Sequence, residues 1–165
     1  MLFWVMFMRK QNWKTYVLWI LLAEVVGLFA GWLTRDARMN FGETVVQPPL
    51  SPPAILFPIV WTILYALMGF GAARVSLAEP SKERSRALNL FSVQLIVNFF
   101  WTLLFFNAQA YGFAFFWLLL LWLLVGAMAL AFGKISPLAG WLQLPYFLWV
   151  TFAAYLNWSI WQLNR

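Results

Sequence analysis

A chain of 165 residues with 64% hydrophobic, 21% aromatic and only 10% charged residues is too apolar for a water-soluble domain, which carries roughly 25% charged residues. Its mean hydropathy of +0.79 agrees, and the absence of cysteine and histidine excludes disulfides, thiolate nucleophiles, catalytic triads, histidine-ligated haem and the usual zinc sites. The formal net charge of +6 does not point to nucleic acid, because the Lys and Arg residues cluster at the ends of apolar segments, where positive charge sets membrane topology.

Met1 to Met8 is apolar but short, and its positive charges follow it instead of preceding it, the reverse of a secretory signal peptide; it is expected to lie in the membrane interface. The first span is predicted over about residues 15–34, between Arg9, Lys10 and Lys14 on one side and Arg35, Asp36 and Arg38 on the other. Ala23, Gly27 and Gly31 recur every fourth residue, a ridge of small side chains that lets another helix approach, either inside one subunit or across a dimer. Glu24 lies near mid-span, where a carboxyl is costly, so it is a candidate intramembrane acid: either functional, or protonated and bonded to a neighbouring helix.

Residues 35–53 form the longest connection, an outer loop ending QPPLSPP. Its four prolines within six residues favour a stiff, extended strap, which either covers the mouth of a bundle or sets the angle of the next helix. The second span, about 54–77, places Trp61, Tyr65 and Met68 on one face. A charged turn, AEPSKERSR, leads to the third span, about 88–108, where Gln94, Asn98, Trp101 and Phe105 share a stripe that should face inward. A tight connection follows, so the fourth span, about 113–132, forms an antiparallel hairpin with the third; almost purely apolar, it is expected to meet the most lipid.

The fifth segment, about 138–163, is crowded with aromatics, and Tyr146, Trp149, Ala153 and Asn157 share one of its faces. An unpaired amide in hydrocarbon costs a few kcal/mol, so Asn157 should look into protein or a cavity. The fold class is therefore an all-α integral membrane protein, a single domain over residues 1–165 built as a bundle of five transmembrane helices. Eight Lys and Arg residues fall on the N-terminal side and three on the other, so the N-terminus is predicted cytoplasmic and the C-terminus outside, in a membrane more like a bacterial cytoplasmic membrane than an outer one.

Counting depth at about 1.5 Å per residue brings Glu24, Asn98 and Trp149 near the midplane, with Trp61, Trp101 and Asn157 in the outer half. Trp4, Trp13, Trp32, Trp141 and Trp161 lie at segment ends, as interfacial belts do; Trp61, Trp101 and Trp149 are too deep for that. Apolar walls, flat rings and a few amides suit a planar hydrophobic ligand with polar edges, such as a tetrapyrrole or a sterol.

The stretches FPIVWTILYALMGFGAARV, QLIVNFFWTLLFF and LPYFLWVTFAAYLNW resemble the translocator protein family, also called tryptophan-rich sensory proteins or peripheral-type benzodiazepine receptors, in the family's order and over about residues 35–164. The resemblance implies a five-helix bundle, often dimeric, that binds porphyrins and, in some members, cholesterol-like and drug-like ligands. It implies that Trp61 and Trp149 line the porphyrin pocket and take part in a light- and oxygen-dependent breakdown of protoporphyrin, and that Asn98, Trp101 and Ala153 line it too, with Asn157 in the family's LN step. Phe41 and Gly42 stand in place of the family's WY pair and Leu50 in place of a loop tryptophan. Val150 and Tyr155 match only the first half of its cholesterol motif, with no Lys or Arg following, so strong sterol binding is not expected.

The expected function is a membrane receptor or carrier for porphyrin-like tetrapyrroles in a sensory or transport role, with Trp61, Tyr65, Asn98, Trp101, Tyr146, Trp149, Ala153 and Asn157 at the ligand. The alternative is an enzyme degrading the porphyrin under light, with Trp61 and Trp149 as its catalytic residues; a proton-coupled transporter using Glu24 lacks the inverted repeats that alternating access usually shows. Either way porphyrin is ligand or substrate, not a cofactor; membrane lipid and a second copy of the chain are the other expected partners, and no metal or nucleic acid is expected.

Overall fold

A computed structural model describes the backbone of residues 2–165 and the side chains from Asn12 onward. The parts assigned to Met1–Met8, Trp4, Arg9 and Lys10 lie outside the described residues. Among the described residues every regular element is helical: α1 (Leu2–Leu33), α2 (Arg35–Thr44), α3 (Leu56–Ser76), α4 (Lys82–Thr102), α5 (Tyr111–Ile135), α6 (Pro137–Trp141) and α7 (Leu144–Leu163). Four of these helices are long and apolar enough to cross a membrane, namely α1, α3, α4 with the turn that extends it, and α5. α7 has the length, at 20 residues, but its Trp, Tyr, Asn and Gln side chains lower its hydropathy below that of the other four.

Several boundaries differ from the expected ones. Residues 35–44, expected to belong to the long loop, form α2, because ARMNF carries no helix breaker and Asp36 sits in the first turn, where a carboxylate suits the positive helix end. The proline strap is therefore confined to residues 45–55. α4 starts six residues before the expected position 88, since the Ser81 hydroxyl accepts the Arg84 N–H at 3.0 Å and caps the helix within the charged turn. At its other end α4 loosens into a π turn, Leu103–Asn107. The fifth segment is broken into α6 and α7, with Pro137 and Pro145 each in the first turn of its helix, where a missing N–H costs nothing.

Packing is uneven. α1 lies along α3, and α5 lies between α4 and α7, whereas α3 and α7 touch each other little. The α1–α3 contact uses the small-residue ridge within one chain: Ala23 is buried, and a methyl group added at Gly27 would stand 2.2 Å from the Tyr65 ring. Gly31, expected to extend the ridge, lies instead beside Arg38, whose guanidinium donates to the Gly31 carbonyl at 2.9 Å. From the other side, a methyl at Gly69 would stand 2.5 Å from the Ile20 Cα, so backbone meets backbone there.

α5 buries Tyr111, Ala114, Leu118, Leu121, Val125, Met128 and Phe132, a strict alternation of three- and four-residue steps that aims one stripe at the bundle. α1, not α5, meets the most lipid: 11% of its span is buried against 28% for α5. The physical reason is position, because α1 has neighbours on one side only, whereas α5 is flanked by α4, α6 and α7. Trp32 and Trp141 are exposed near helix ends and Trp13 at the start of the apolar span of α1, while Trp161 is half-buried against Phe115, Phe116 and Trp158.

Overpacking a contact this close costs about 1–3 kcal/mol, so Gly69→Ala should lower the thermal unfolding midpoint in detergent, with Ile20 unable to retreat. Gly42→Ala, where the nearest atom to an added methyl is a Gln47 nitrogen at 3.7 Å, should hold or raise it, since alanine favours helix by about 0.5–1 kcal/mol. Equal shifts in the two variants would contradict the close α1–α3 approach.

Candidate functional site

Buried polar side chains of α4 pair with α3 and α7, and Asn157 of α7 extends the pairing to α5. Asn98 donates through Nδ2 to the Tyr65 hydroxyl of α3 at 3.1 Å. The Tyr146 hydroxyl of α7 donates to Gln94 Oε1 at 2.9 Å, and Gln94 Nε2 lies 3.7 Å from the sulfur of Met68. The Trp101 indole N–H donates to Asn157 Oδ1 of α7 at 3.2 Å, and Asn157 Nδ2 donates to the Tyr111 carbonyl at the start of α5 at 2.8 Å. All of these side chains are buried. A polar group facing hydrocarbon has no water to turn to, so such pairs must be made within the bundle.

Asn157 is thereby fully used, both ends of its amide holding helices together. Asn98 is not, since its Oδ1 is buried without a partner. Because the Tyr65 hydroxyl accepts from Asn98, its own proton is also free; turning the amide over would satisfy that proton and strand Nδ2 instead. Either orientation leaves one end of the Asn98 amide buried without a hydrogen bond.

The aromatic residues divide into three environments. Trp101 is 7% exposed and stacks on Phe105 with ring centres 5.4 Å apart, inside the α4–α5–α7 core. Trp61 is half-buried, 5.5 Å from the Tyr65 ring and edge-on to Tyr146 at 6.1 Å. Trp149 is half-buried, with Phe57 at 5.9 Å and Phe152 at 5.7 Å as its ring neighbours. The three deep tryptophans make no ring contact with one another.

One open volume, of about 300 Å³, lies between α1 and α4 against Val25, Phe29, Ile96 and Phe100, and another lies at the seam where α3 and α7 touch each other little. There a groove of about 470 Å³ is lined by Val60, Ile63 and Leu64 of α3 and by Pro145, Leu148, Trp149 and Phe152 of α7. That volume falls within the roughly 300–1,000 Å³ typical of small-molecule sites, and the walls are almost wholly apolar. Trp149 forms part of the groove, Ala153 is buried one turn further along α7, and Trp61, Tyr65 and Tyr146 form the aromatic layer behind it. Glu24, on α1 within electrostatic range of Tyr65, is half-buried and makes no hydrogen bond or ion pair among the described residues.

Sequence reasoning did not single out Leu64, Leu148 or Phe152 for the groove. The signal was present, since Leu64 follows Trp61 by three residues and Phe152 follows Trp149 by three, but an isolated apolar side chain does not show whether it faces lipid or a neighbouring helix. Nor was the Gln94–Tyr146 bond legible, because it depends on how α4 and α7 are rotated.

Membrane-length apolar helices joined by a buried network of amides, tyrosines and an indole define an α-helical, multi-pass integral membrane protein with an aromatic-walled lateral groove. The chain belongs to the TspO/MBR family, whose sequence profile matches residues 19–162. It is 37% identical over 158 residues to tryptophan-rich protein TspO of Chlorobaculum tepidum, covering 95% of this chain and 99% of that one. It is 34% identical over 155 residues to translocator protein of Bos taurus, covering 93% and 92%, and 37% identical over 122 residues to tryptophan-rich sensory protein of Cereibacter sphaeroides, covering 74% and 75%.

Tyr146→Phe should destabilise the protein by about 1–2 kcal/mol, because Gln94 Oε1 is then buried without a donor. Adding Gln94→Met should recover part of that loss, so a double-mutant cycle read by thermal unfolding should show positive coupling; additive losses would argue against the bond.

Proposed function

We propose that the protein is a membrane receptor or carrier for porphyrin-like tetrapyrroles in a sensory or transport role, with the α3–α7 seam as its binding site. The observation that carries the reading is the juxtaposition of an apolar groove of tetrapyrrole-compatible size with flat indole and phenol rings and one half-used buried amide. Trp149 offers a ring face at the groove, Trp61 and Tyr65 form the layer behind, and the open end of Asn98 bonds a polar edge of the ligand once Trp61 swings aside. The names of the relatives, which speak of sensing and translocation, support the same class of role.

In this reading α7 is the fifth span, its polar side chains tolerated in the bilayer because Tyr146 and Asn157 are paired inward. The bundle sits in a bacterial cytoplasmic membrane with the N-terminus inside and the proline strap outside, following the excess of Lys and Arg on one side. Trp101 and Asn157 act mainly by holding α4, α5 and α7 in place, one shell behind the ligand.

Titrating protoporphyrin into the purified full-length protein should quench tryptophan fluorescence saturably. Trp149→Leu keeps apolar bulk but removes the ring face, a contact worth about 0.5–1.5 kcal/mol, so the apparent affinity should fall roughly two- to tenfold. Unsaturable quenching, or an unchanged midpoint in a Trp61→Leu, Trp149→Leu double variant, rejects the reading. Illuminating the aerated complex separates receptor from enzyme, since an enzyme gives a new absorption band that free protoporphyrin does not give and that disappears in Trp149→Phe while binding survives.

A further inference from the structure

Val60, Ile63, Leu67, Gly71 and Arg74 follow one another at steps of three and four residues, so the face of α3 that lines the groove ends in an arginine. The opposite side of the seam keeps pace with it. Leu64 and Pro145 both line the groove, a methyl added at Gly71 would stand 2.4 Å from Gln143 Nε2, and Arg74 Nε donates to Ser136 Oγ at 3.2 Å, just before α6.

Arg74 is half-buried, and among the described residues it makes no ion pair. Its two terminal nitrogens make no hydrogen bond within the protein and neither is enclosed, so both remain available to a ligand. Arg84 is used differently: its Nη1 donates to the Ser76 and Ala78 carbonyls at 3.3 and 2.8 Å and so holds the turn after α3. The free fork of a guanidinium matches the oxygens of a phosphate, and Lys134, exposed two residues before Ser136, adds positive charge at the same end.

Ten residues separate Leu64 from Arg74, about 15 Å along the helix at 1.5 Å per residue. That is half of the roughly 30 Å hydrocarbon thickness, the depth that the chains of one leaflet fill. We propose that the seam binds an anionic phospholipid, its phosphate on Arg74 and one acyl chain running over Leu67, outside the Gly71–Gln143 contact, into the groove. The apolar walls accept hydrocarbon without stranding a polar group, and in the orientation proposed above this end meets the cytoplasmic leaflet, whose anionic lipids attract Lys and Arg. The assignment does not rest on the tetrapyrrole reading, since a protein that binds no porphyrin can still retain the lipid.

Native mass spectrometry of the full-length protein, after incubation in detergent with equal amounts of phosphatidylglycerol and phosphatidylcholine, counts the lipid retained. The wild type should retain phosphatidylglycerol in preference, and Arg74→Gln should cut that retention about five- to tenfold, the scale of one interfacial cation on a phosphate. Lys82→Gln, which removes an exposed charge at the start of α4, should leave it unchanged. Ile63→Trp, which intrudes on the groove with Arg74 intact, should lower it. Equal retention of the two lipids by the wild type, an Arg74→Gln protein that keeps the preference, or a drop as large in Lys82→Gln overturns the proposal. Excess glycerol phosphate, a head without chains, should displace nothing; displacement overturns a lipid as the source of the phosphate, and unchanged retention in Ile63→Trp overturns the groove as the seat of the chain. If Arg74→Gln also lowers the unfolding midpoint in lipid-free detergent, Arg74→Lys decides: it keeps the charge and gives up the fork, so its retention must fall between those of the wild type and Arg74→Gln.

Discussion

The structure depends on the pairing of polar side chains that cannot reach water. Gln94, Asn98 and Trp101 lie along α4 at intervals of three or four residues, and each finds a partner on α3 or α7, with Asn157 passing the connection on to α5. Individually such bonds in a membrane are modest, averaging about 0.6 kcal/mol. Their effect on geometry is larger than their energy suggests, because lipid offers a leucine-rich helix no preferred rotation, whereas an amide that must meet a phenol or an indole allows few.

The remaining contacts sort the helices into two tight groups. Small residues let α1 and α3 approach until ring and backbone touch, at Gly27 and Gly69. Between α4, α5 and α7, large aromatics interlock instead, and the Trp117 indole N–H reaches across to the Val97 carbonyl at 2.8 Å. α3 is joined to the second group by the Tyr65–Asn98 bond, the aromatic layer of Trp61 and Tyr146, the close approach of Gly71 to Ala139 and Phe132, and the Arg74–Ser136 hydrogen bond. The groove arises where those two groups meet without interlocking, and the half-satisfied Asn98 amide lies at the same boundary. An enclosed, solidly packed bundle would have left no such boundary, so the feature that weakens the seam is also what makes a site available.

Much of this was legible from residue types. Gln94, Asn98 and Asn157 were expected to turn inward because an unpaired amide is costly in lipid, and all three are buried and hydrogen-bonded within the bundle. The small-residue ridge was expected to admit a close helix, and at Ala23 and Gly27 it does so within the chain. α2 was not expected, since attention to the prolines of residues 48–53 hid a short run of ordinary helix formers before them. Depth in the bilayer did not say which ring each deep tryptophan would meet: Trp61 lies against Tyr65, Trp101 on Phe105 and Trp149 beside Phe152.

By itself the sequence determined that the chain is helical and lives in a membrane, which residues must avoid lipid, and the family to which it belongs. These follow from local chemistry, because hydrocarbon requires apolar runs of about 20 residues and penalises each unpaired polar group wherever it falls. Only the tertiary structure decided which polar group meets which, that α1 is the most lipid-exposed span, that the larger open volume lies at the α3–α7 seam, and that Asn164 clasps Val46 across 118 positions of sequence. Such facts depend on the rotation and tilt of whole helices, set by the sum of many weak contacts, and periodicity along one helix does not carry that information.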